Sequence, residues 1–380
     1  MSAGGGTARQ PRLRGAPLTA AAGPRRSRPT GTRPLGPETR AADVLLRLLV
    51  GPAPDATACQ TLDWSLLRRT ARGGRVLVRA SDRLSELGVR FPHRFATAVA
   101  DERHRVAEVV ALIGRLERAL RAVGLADFLF PKAFRHYPDM SADLDLLTLA
   151  PAARVLQALT AELGGGPRQD VARRVAGMSR YEAAVAGANL DVWHGRLGFL
   201  GEHTRFPAAL FAARVPVTVL GRSFQTAPVE HQLVLQGIQR VYGQRGFKLA
   251  DLVFTIRALR SDDLDWDRVV RTARQAGALP GLACYLGFAD RIHRRTFGAA
   301  LLDPAVHTGI ETEQWGPITV EAGEYRFAER PVTRALYRRF VATKLRERDW
   351  RAAGRVALLL PLAALGSAAR ALVRRTRRGA

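Results

Sequence analysis

The sequence predicts an α+β fold, with a small mixed β-sheet between a helical N-terminal flank and a C-terminal helical bundle. Three observations carry that reading. Apolar residues recur at helical spacing over a long segment that ends at Gly124; Met140-Ser-Ala-Asp-Leu-Asp-Leu-Leu-Thr-Leu149 reads as a buried strand; and helical periods return beyond Thr226. A chain of 380 residues can bury a sizeable core and suggests about two or three compact units.

Residues 1–41 are Gly, Pro, Ala, Arg and Thr without an apolar period. They cannot bury enough surface to offset ordering entropy and are expected to form a disordered basic tail. Arg25-Arg26 is followed by no apolar run with a cleavage site, so no export signal is read there. Residues 42–127 form the expected helical flank, with helices over Ala42–Val50, Leu62–Arg72 and residues 95–123. In the last, Val106, Val109, Val110, Ile113, Leu116 and Leu120 share one face, and Gly124 supplies the stop.

Residues 128–222 hold the expected core. A short strand at Asp127–Phe130 is followed by Pro131, which suits the first position of a short helix. The strand at residues 143–149 comes next, then a helix over Ala152–Leu163 that ends at Gly164-Gly-Gly166. Arg180–Val185 and Leu190–Gly195 read as strands of a hairpin turning at Gly187-Ala-Asn189. Residues 223–300 form a helical domain, with helices over Val229–Tyr242, Lys248–Arg260, Leu264–Gln275 and Leu282–Arg291. Residues 301–333 carry a small hairpin turning at Ala322-Gly323, and residues 334–380 form a basic amphipathic tail. The apolar run Val356–Ala369 in that tail contains a proline and is shorter than the roughly 20 residues of a membrane span. It is expected to pack on the core or to lie on an anionic leaflet beside Arg370, Arg374, Arg375, Arg377 and Arg378.

The net charge of +25 sits mostly at the two ends. Residues 1–40 hold eight arginines and one glutamate, and residues 334–380 hold thirteen basic residues and two acidic ones. The middle therefore carries only +7, and no interleaving of basic and aromatic residues marks a strand-binding face, so no specific nucleic-acid partner is predicted. Three basic residues are lysine: Lys132, Lys248 and Lys344. Cys59 and Cys284 lie far apart with no CxxC, which argues against a disulfide framework or a zinc site and fits a cytoplasmic protein, peripheral at the inner membrane face if the tail docks there.

Asp143 and Asp145 are the chemical anomaly. Two apart on a strand, they point the same way, and like charges placed beside apolar residues repel and lose hydration unless something positive lies between them. A divalent cation with hard oxygen ligands is the natural compensator. Asp191, on a later strand, brings a third carboxylate. Three such groups on adjacent strands can hold a pair of Mg2+ ions, with Mn2+ as a substitute, in the arrangement used for displacement at phosphorus. Asp143 and Asp145 would bridge both ions, and Asp191 would bind the one at the attacking hydroxyl.

The run Phe128-Leu-Phe-Pro-Lys-Ala-Phe, then Met140-Ser-Ala-Asp-Leu-Asp-Leu-Leu and Leu190-Asp-Val-Trp-His194, resembles the signature of the DNA polymerase beta-type nucleotidyltransferase superfamily, and within it an uncharacterised bacterial branch. The likeness continues through Pro228-Val-Glu-His-Gln-Leu-Val-Leu235, Lys248-Leu-Ala-Asp-Leu252 and Leu264-Asp-Trp266, and covers about residues 60–295. It implies a metal-dependent enzyme that transfers a nucleoside monophosphate from an NTP to an acceptor hydroxyl or phosphate and releases pyrophosphate. It also implies phosphate contacts from Lys132, Ser141 and Lys248, with Asp251 orienting Lys248 across the polar face of its helix. Two positions depart from the pattern: Lys132-Ala133 stands where glycine is usual, and Asp139 where an arginine is common, with Arg135 or His136 as its substitute. Two other readings remain open from the residues alone. One is a sugar-nucleotide glycosyltransferase using Asp-x-Asp; the other is a non-catalytic accessory protein that docks on a membrane through its basic tails.

Overall fold

A computed structural model describes residues 36–51, 63–141, 143–168, 171–182, 187–243, 246–302, 318–327 and 329–359. Of the tail expected over residues 1–41, residues 1–35 lie outside the described residues, as do most of the apolar run and the basic cluster after residue 359; residues 37–41 are helical and not disordered. Helix and strand are mixed, with helix predominant.

Four helices open the described chain: α1 (Pro37–Val50), α2 (Trp64–Gly73), α3 (Leu77–Glu86) and α4 (His93–Ala122). Helix α1 begins five residues before the predicted start, because Pro37 sits at the first turn, where its missing N–H costs nothing. The Asp63 carboxylate caps α2 by accepting from the backbone N–H groups of Ser65 and Leu66 at 2.9 and 3.2 Å. Helix α3 was not predicted: Leu77, Val78, Ala80 and Leu84 are buried, but no local residue caps its start, and the cap comes from the distant Asp139. Helix α4 ends as expected, with Gly124 at φ +73° and the Leu125 N–H reaching back to the Leu120 carbonyl at 3.0 Å.

The central sheet is mixed, in the order β1-β2-β4-β3, from β1 (Phe128–Leu129), β2 (Asp143–Thr148), β3 (Met178–Glu182) and β4 (Asn189–His194). Strands β2 and β4 are parallel, and the outer pairs are antiparallel. Leu144, Leu146, Leu190 and Val192 face one side, where they join Val109, Ile113 and Leu116 of α4 and Leu159 of α5 (Ala152–Leu163) in one apolar cluster. Each such side chain contributes about 1.5–3 kcal/mol by leaving water. The opposite face carries Asp143, Asp145 and Leu147 beside Asn189, Asp191 and Trp193.

The segment after Pro131 is not a helix. It makes successive tight turns, with the N–H groups of Arg135, Tyr137 and Asp139 each bonding three residues back. Asp139 is drawn to α3, where its carboxylate accepts from the N–H groups of Val78 and Arg79 at 2.8 and 3.2 Å and from Arg79 Nε at 3.0 Å. A residue of a distant loop thus caps α3.

Helices α6 (Val171–Ala176) and α7 (Phe206–Ala212) and the hairpin β5 (Val215–Val219)–β6 (Arg222–Thr226) complete the middle of the chain. The predicted helix from Val229 divides into α8 (Val229–Gln236) and a π-helix, Gly237–Gly243. Close packing on α11 (Leu279–Phe297) accompanies the change: a Cβ at Gly237 would stand 2.5 Å from the Leu282 nitrogen. Strand β7 (Gly246–Lys248), helix α9 (Leu249–Leu259) and helix α10 (Trp266–Gln275) lie between them in sequence. The hairpin expected at Ala322-Gly323 forms from β8 (Ile318–Glu321) and β9 (Glu324–Phe327), and β9 recruits β7 into a three-stranded sheet. Helix α12 (Glu329–Arg346) follows, and no helix among the described residues is long and apolar enough to cross a membrane.

Three distant segments meet at one backbone junction. The Leu249 N–H bonds the Gly323 carbonyl at 3.1 Å, and the Ala250 N–H bonds the Gly74 carbonyl at 2.9 Å. A Cβ at Gly323, whose φ is +77°, would stand 2.2 Å from the Thr70 carbonyl oxygen. Gly323→Ala is therefore expected to lower stability by about 2 kcal/mol or more. Gly88→Ala, at a similar φ of +70° but facing open space, should cost only the conformational penalty of about 1 kcal/mol. Urea unfolding of both variants checks this, and equal losses would contradict the packing argument.

Candidate functional site

The parallel register sets Asp145 directly opposite Asp191 and Asp143 opposite Asn189. The pairing brings the three predicted carboxylates onto one face of adjacent strands, and each is held by protein groups. Asp143, half exposed, accepts from Asn189 Nδ2 at 3.2 Å and lies 3.8 Å from an Arg75 nitrogen. Asp145 is buried; one oxygen accepts from Trp193 Nε1 at 2.8 Å, and the other lies 2.6 Å from Lys132 Nζ without hydrogen-bond geometry. Asp191 takes both fork nitrogens of Arg180, its partner across β3, at 2.6 Å each.

These contacts set the electrostatics. Burial raises the Asp191 pKa, with Arg180 opposing and the charges of Asp145 and Asp143 reinforcing the rise. The Lys132 ammonium is lowered by burial, against the pull of Asp145. It also donates to Gln239 Oε1 at 2.8 Å, which links the carboxylate strand to the π-helix. The donors are the hard oxygens that Mg2+ or Mn2+ prefers, but protein groups lie against the oxygens of Asp143 and Asp145 as well as Asp191. Asp191 has both oxygens engaged by Arg180. Accordingly, no group of three His, Cys, Asp or Glu side chains among the described residues stands in metal-holding geometry.

Beside the carboxylates opens a cavity of about 590 Å3. Lys132, Ser141 and Lys248 line it, as does Asp143, so four of the predicted residues share one space. Ser141 turns its hydroxyl back to accept from the Asp143 N–H at 2.9 Å. Lys248 pairs with Glu324 at 3.2 Å, a partner supplied by the β8–β9 hairpin.

Asp251 behaves differently from the expectation of a polar helix face. It and Thr255 are fully buried, and the Asp251 carboxylate meets Lys248 only through that residue's backbone N–H, at 2.8 Å. Its other oxygen gathers an Arg135 nitrogen at 3.0 Å, an Arg240 nitrogen at 2.9 Å and Gln236 Nε2 at 3.1 Å, with His136 Nε2 at 3.2 Å. Burial alone would raise the Asp251 pKa; Arg240 and its neighbours overcome that and hold it well below the usual carboxylate range. Arg135 is lowered to about 10 by burial and stays charged, while burial and Arg135 push His136 down to about 3.

Arg75, Arg240 and Arg326 of the cavity wall carry no local sequence signal, and Arg135 and His136 stand out in the sequence only as substitutes for an expected arginine. Composition hid them, since all but three of the 59 basic residues are arginine. A signal did exist for Trp193, which lies two residues beyond Asp191 and so on the same face of its strand. Comparison with known proteins gives no match: no family model, curated protein or solved structure matches this chain.

Removing the Asp251 charge would leave Arg135 and Arg240 buried around a neutral group. Asp251→Asn is expected to lose about 3–5 kcal/mol of stability, measured by urea unfolding. His136 titrates near 6.5 when unfolded and about 3 when folded, so the unfolded chain binds the extra proton between these values. Its contribution is intact above pH 6.5 and is lost as pH falls toward 3. The stability difference between wild type and His136→Gln should therefore shrink from pH 7 to pH 4; a constant difference would show that His136 does not titrate as a buried neutral ring.

Proposed function

We propose that the protein is a metal-dependent nucleotidyltransferase acting at the β2–β4 carboxylates, with the phosphates of an NTP in the adjoining cavity. The observation that supports it best is the register of Asp145 opposite Asp191, with Asp143 reaching the cavity wall. A third carboxylate opposite the Asp-x-Asp pair goes beyond what diphosphate-sugar binding requires, so nucleotidyl transfer is preferred to the glycosyltransferase reading.

In the proposed reaction an acceptor oxygen forms a bond to the α-phosphorus, the bond to the bridging oxygen breaks, and pyrophosphate leaves. Asp143 and Asp145 would hold the cation, which when bound supplies Lewis-acid stabilisation of the phosphoryl oxygens. Lys132, Ser141 and Lys248 would orient the phosphate chain. Lys132 already balances Asp145, so the buried carboxylate would keep a counter-charge throughout. Arg180 would release Asp191 for the acceptor side, and the raised Asp191 pKa suits a group that receives the hydroxyl proton. Fixed cations at the leaving phosphates stabilise developing charge without reorganising at the moment of reaction.

Asp143→Asn and Asp145→Asn are each expected to cut transfer of label from an α-labelled NTP by about 100-fold or more. Both should also weaken Mn2+ binding in titration calorimetry. Unchanged transfer and unchanged Mn2+ affinity in both variants would overturn the site.

A further inference from the structure

The cavity beside the carboxylates is unusual in what it lacks. Apart from Gly246, its apolar lining among the described residues consists of Ala133 and Phe327. The Phe327 ring is stacked on Phe288, with centroids 4.6 Å apart and planes 18° from parallel, and the residue is only 7% exposed. The one other ring among the described lining residues is His136, buried and held by Arg135 and Asp251, so no open aromatic face is seen there for a base to stack on, and Ser141 is the one hydroxyl or amide side chain in that lining. Sites that read bases need stacking surfaces and neutral donors and acceptors at the base edge.

What the cavity has is fixed positive charge. Arg75, Lys132, Arg135 and Arg240 form the inner wall, and three carboxylates answer them: Asp143, Asp145 and Asp251. Arg135 and Arg240 both converge on Asp251. At the rim, Lys248 and Arg326 meet Glu324 at 3.2 and 3.3 Å, and Arg326 also pairs with Glu321 at 3.1 Å. The Arg135 side chain is only 1% exposed and is fixed at two nitrogens, by His136 and Asp251, yet its Nη1 is buried with no hydrogen-bond partner. This guanidinium is a fixed positive charge in the cavity wall, and it attracts an anion through space more strongly than it would in bulk water.

We infer that this cavity is a polyphosphate cradle: it takes a chain of two or more phosphoryl groups on Arg75, Arg135, Arg240, Lys248 and Arg326, and leaves the nucleobase outside unread. The inference rests on the nucleotidyl-transfer reading for placing the donor's phosphates here, and it adds that the donor is selected by its phosphate chain. Arg135 comes from the β1–β2 loop of the carboxylate sheet, while the other cradle residues come from the turn after α2, the π-helix, β7 and the β8–β9 hairpin.

The test is titration calorimetry on the full chain in EDTA, so that side chains alone contribute, using inorganic tripolyphosphate, ATP, GTP, CTP, adenosine and inorganic phosphate. Tripolyphosphate and the three nucleotides should bind within about threefold of one another, with adenosine not binding and phosphate weaker by about tenfold or more. Arg135→Met should weaken tripolyphosphate by about tenfold or more. Because that variant disturbs a buried network, Arg326→Ala serves beside it; at 55% side-chain exposure its loss should leave the unfolding midpoint unchanged and weaken tripolyphosphate by about threefold. Discrimination among the bases beyond about 30-fold, adenosine binding, phosphate binding as tightly as tripolyphosphate, or unchanged affinity in both variants would overturn the cradle. Tripolyphosphate binding without transfer from any NTP would uphold the cradle and remove the transferase reading. Transfer with strong base preference would do the reverse.

Discussion

Asp251 sits where no water reaches, and a carboxylate in such a place ionises only if cations surround it. Arg135 comes from the loop between β1 and β2, Arg240 and Gln236 from the α8–π-helix segment, and the Lys248 N–H from the start of α9 itself. Neutralising one charge therefore fixes three segments that would otherwise meet with like charges facing each other. Buried ion clusters are poor general stabilisers, because desolvation offsets most of the attraction. Their value here is positional: two guanidinium groups stand at one wall of the cavity with little freedom to turn away.

The carboxylate face of the sheet follows the same logic with the signs reversed. Asp143, Asp145 and Asp191 are brought together by strand register, and Arg75, Lys132 and Arg180 arrive from three different elements to answer them. Arg180 and Asp191 are neighbours on paired strands, so their contact needs no long-range fit. Lys132 reaches Asp145 from the loop before the strand and is held at its tip by Gln239. Acidic and basic halves of the site are thus built as one compensated whole, and the two are joined through Lys132.

Much of this was legible where local rules decide the outcome. Helix α5 spans Ala152–Leu163 as read, because Gly164 supplies the left-handed stop, at φ +72°. The hairpin at Ala322-Gly323 was visible in its turn residues, and the strand carrying Asp143 and Asp145 in its alternation of acidic and apolar residues. Where long-range contacts override local pattern, the reading failed. Asp251 and Thr255 look like a solvated stripe because their spacing from Lys248 is helical; what buries them are partners more than ten residues away, Arg135, Arg240 and Tyr285. The turns after Pro131 read as a helix start because nothing local reveals that Asp139 is committed to α3. In a chain whose positive charge is nearly all arginine, no single arginine stands out, so the cavity wall could be seen only in three dimensions.

The junction of Gly74, Leu249 and Gly323 bears on how the molecule is made. Residues separated by about 250 positions in sequence close the same small knot of backbone, and the walls of the cavity hang from it. Such contacts have a high loop-closure cost and form late. During synthesis Arg75 and Asp251 leave the ribosome well before Gly323, so the cavity exists only once nearly the whole described chain is present. A fragment ending before the β8–β9 hairpin would retain the carboxylate strands and yet lack the rim formed by Glu324 and Arg326, along with the carbonyl that receives the Leu249 N–H.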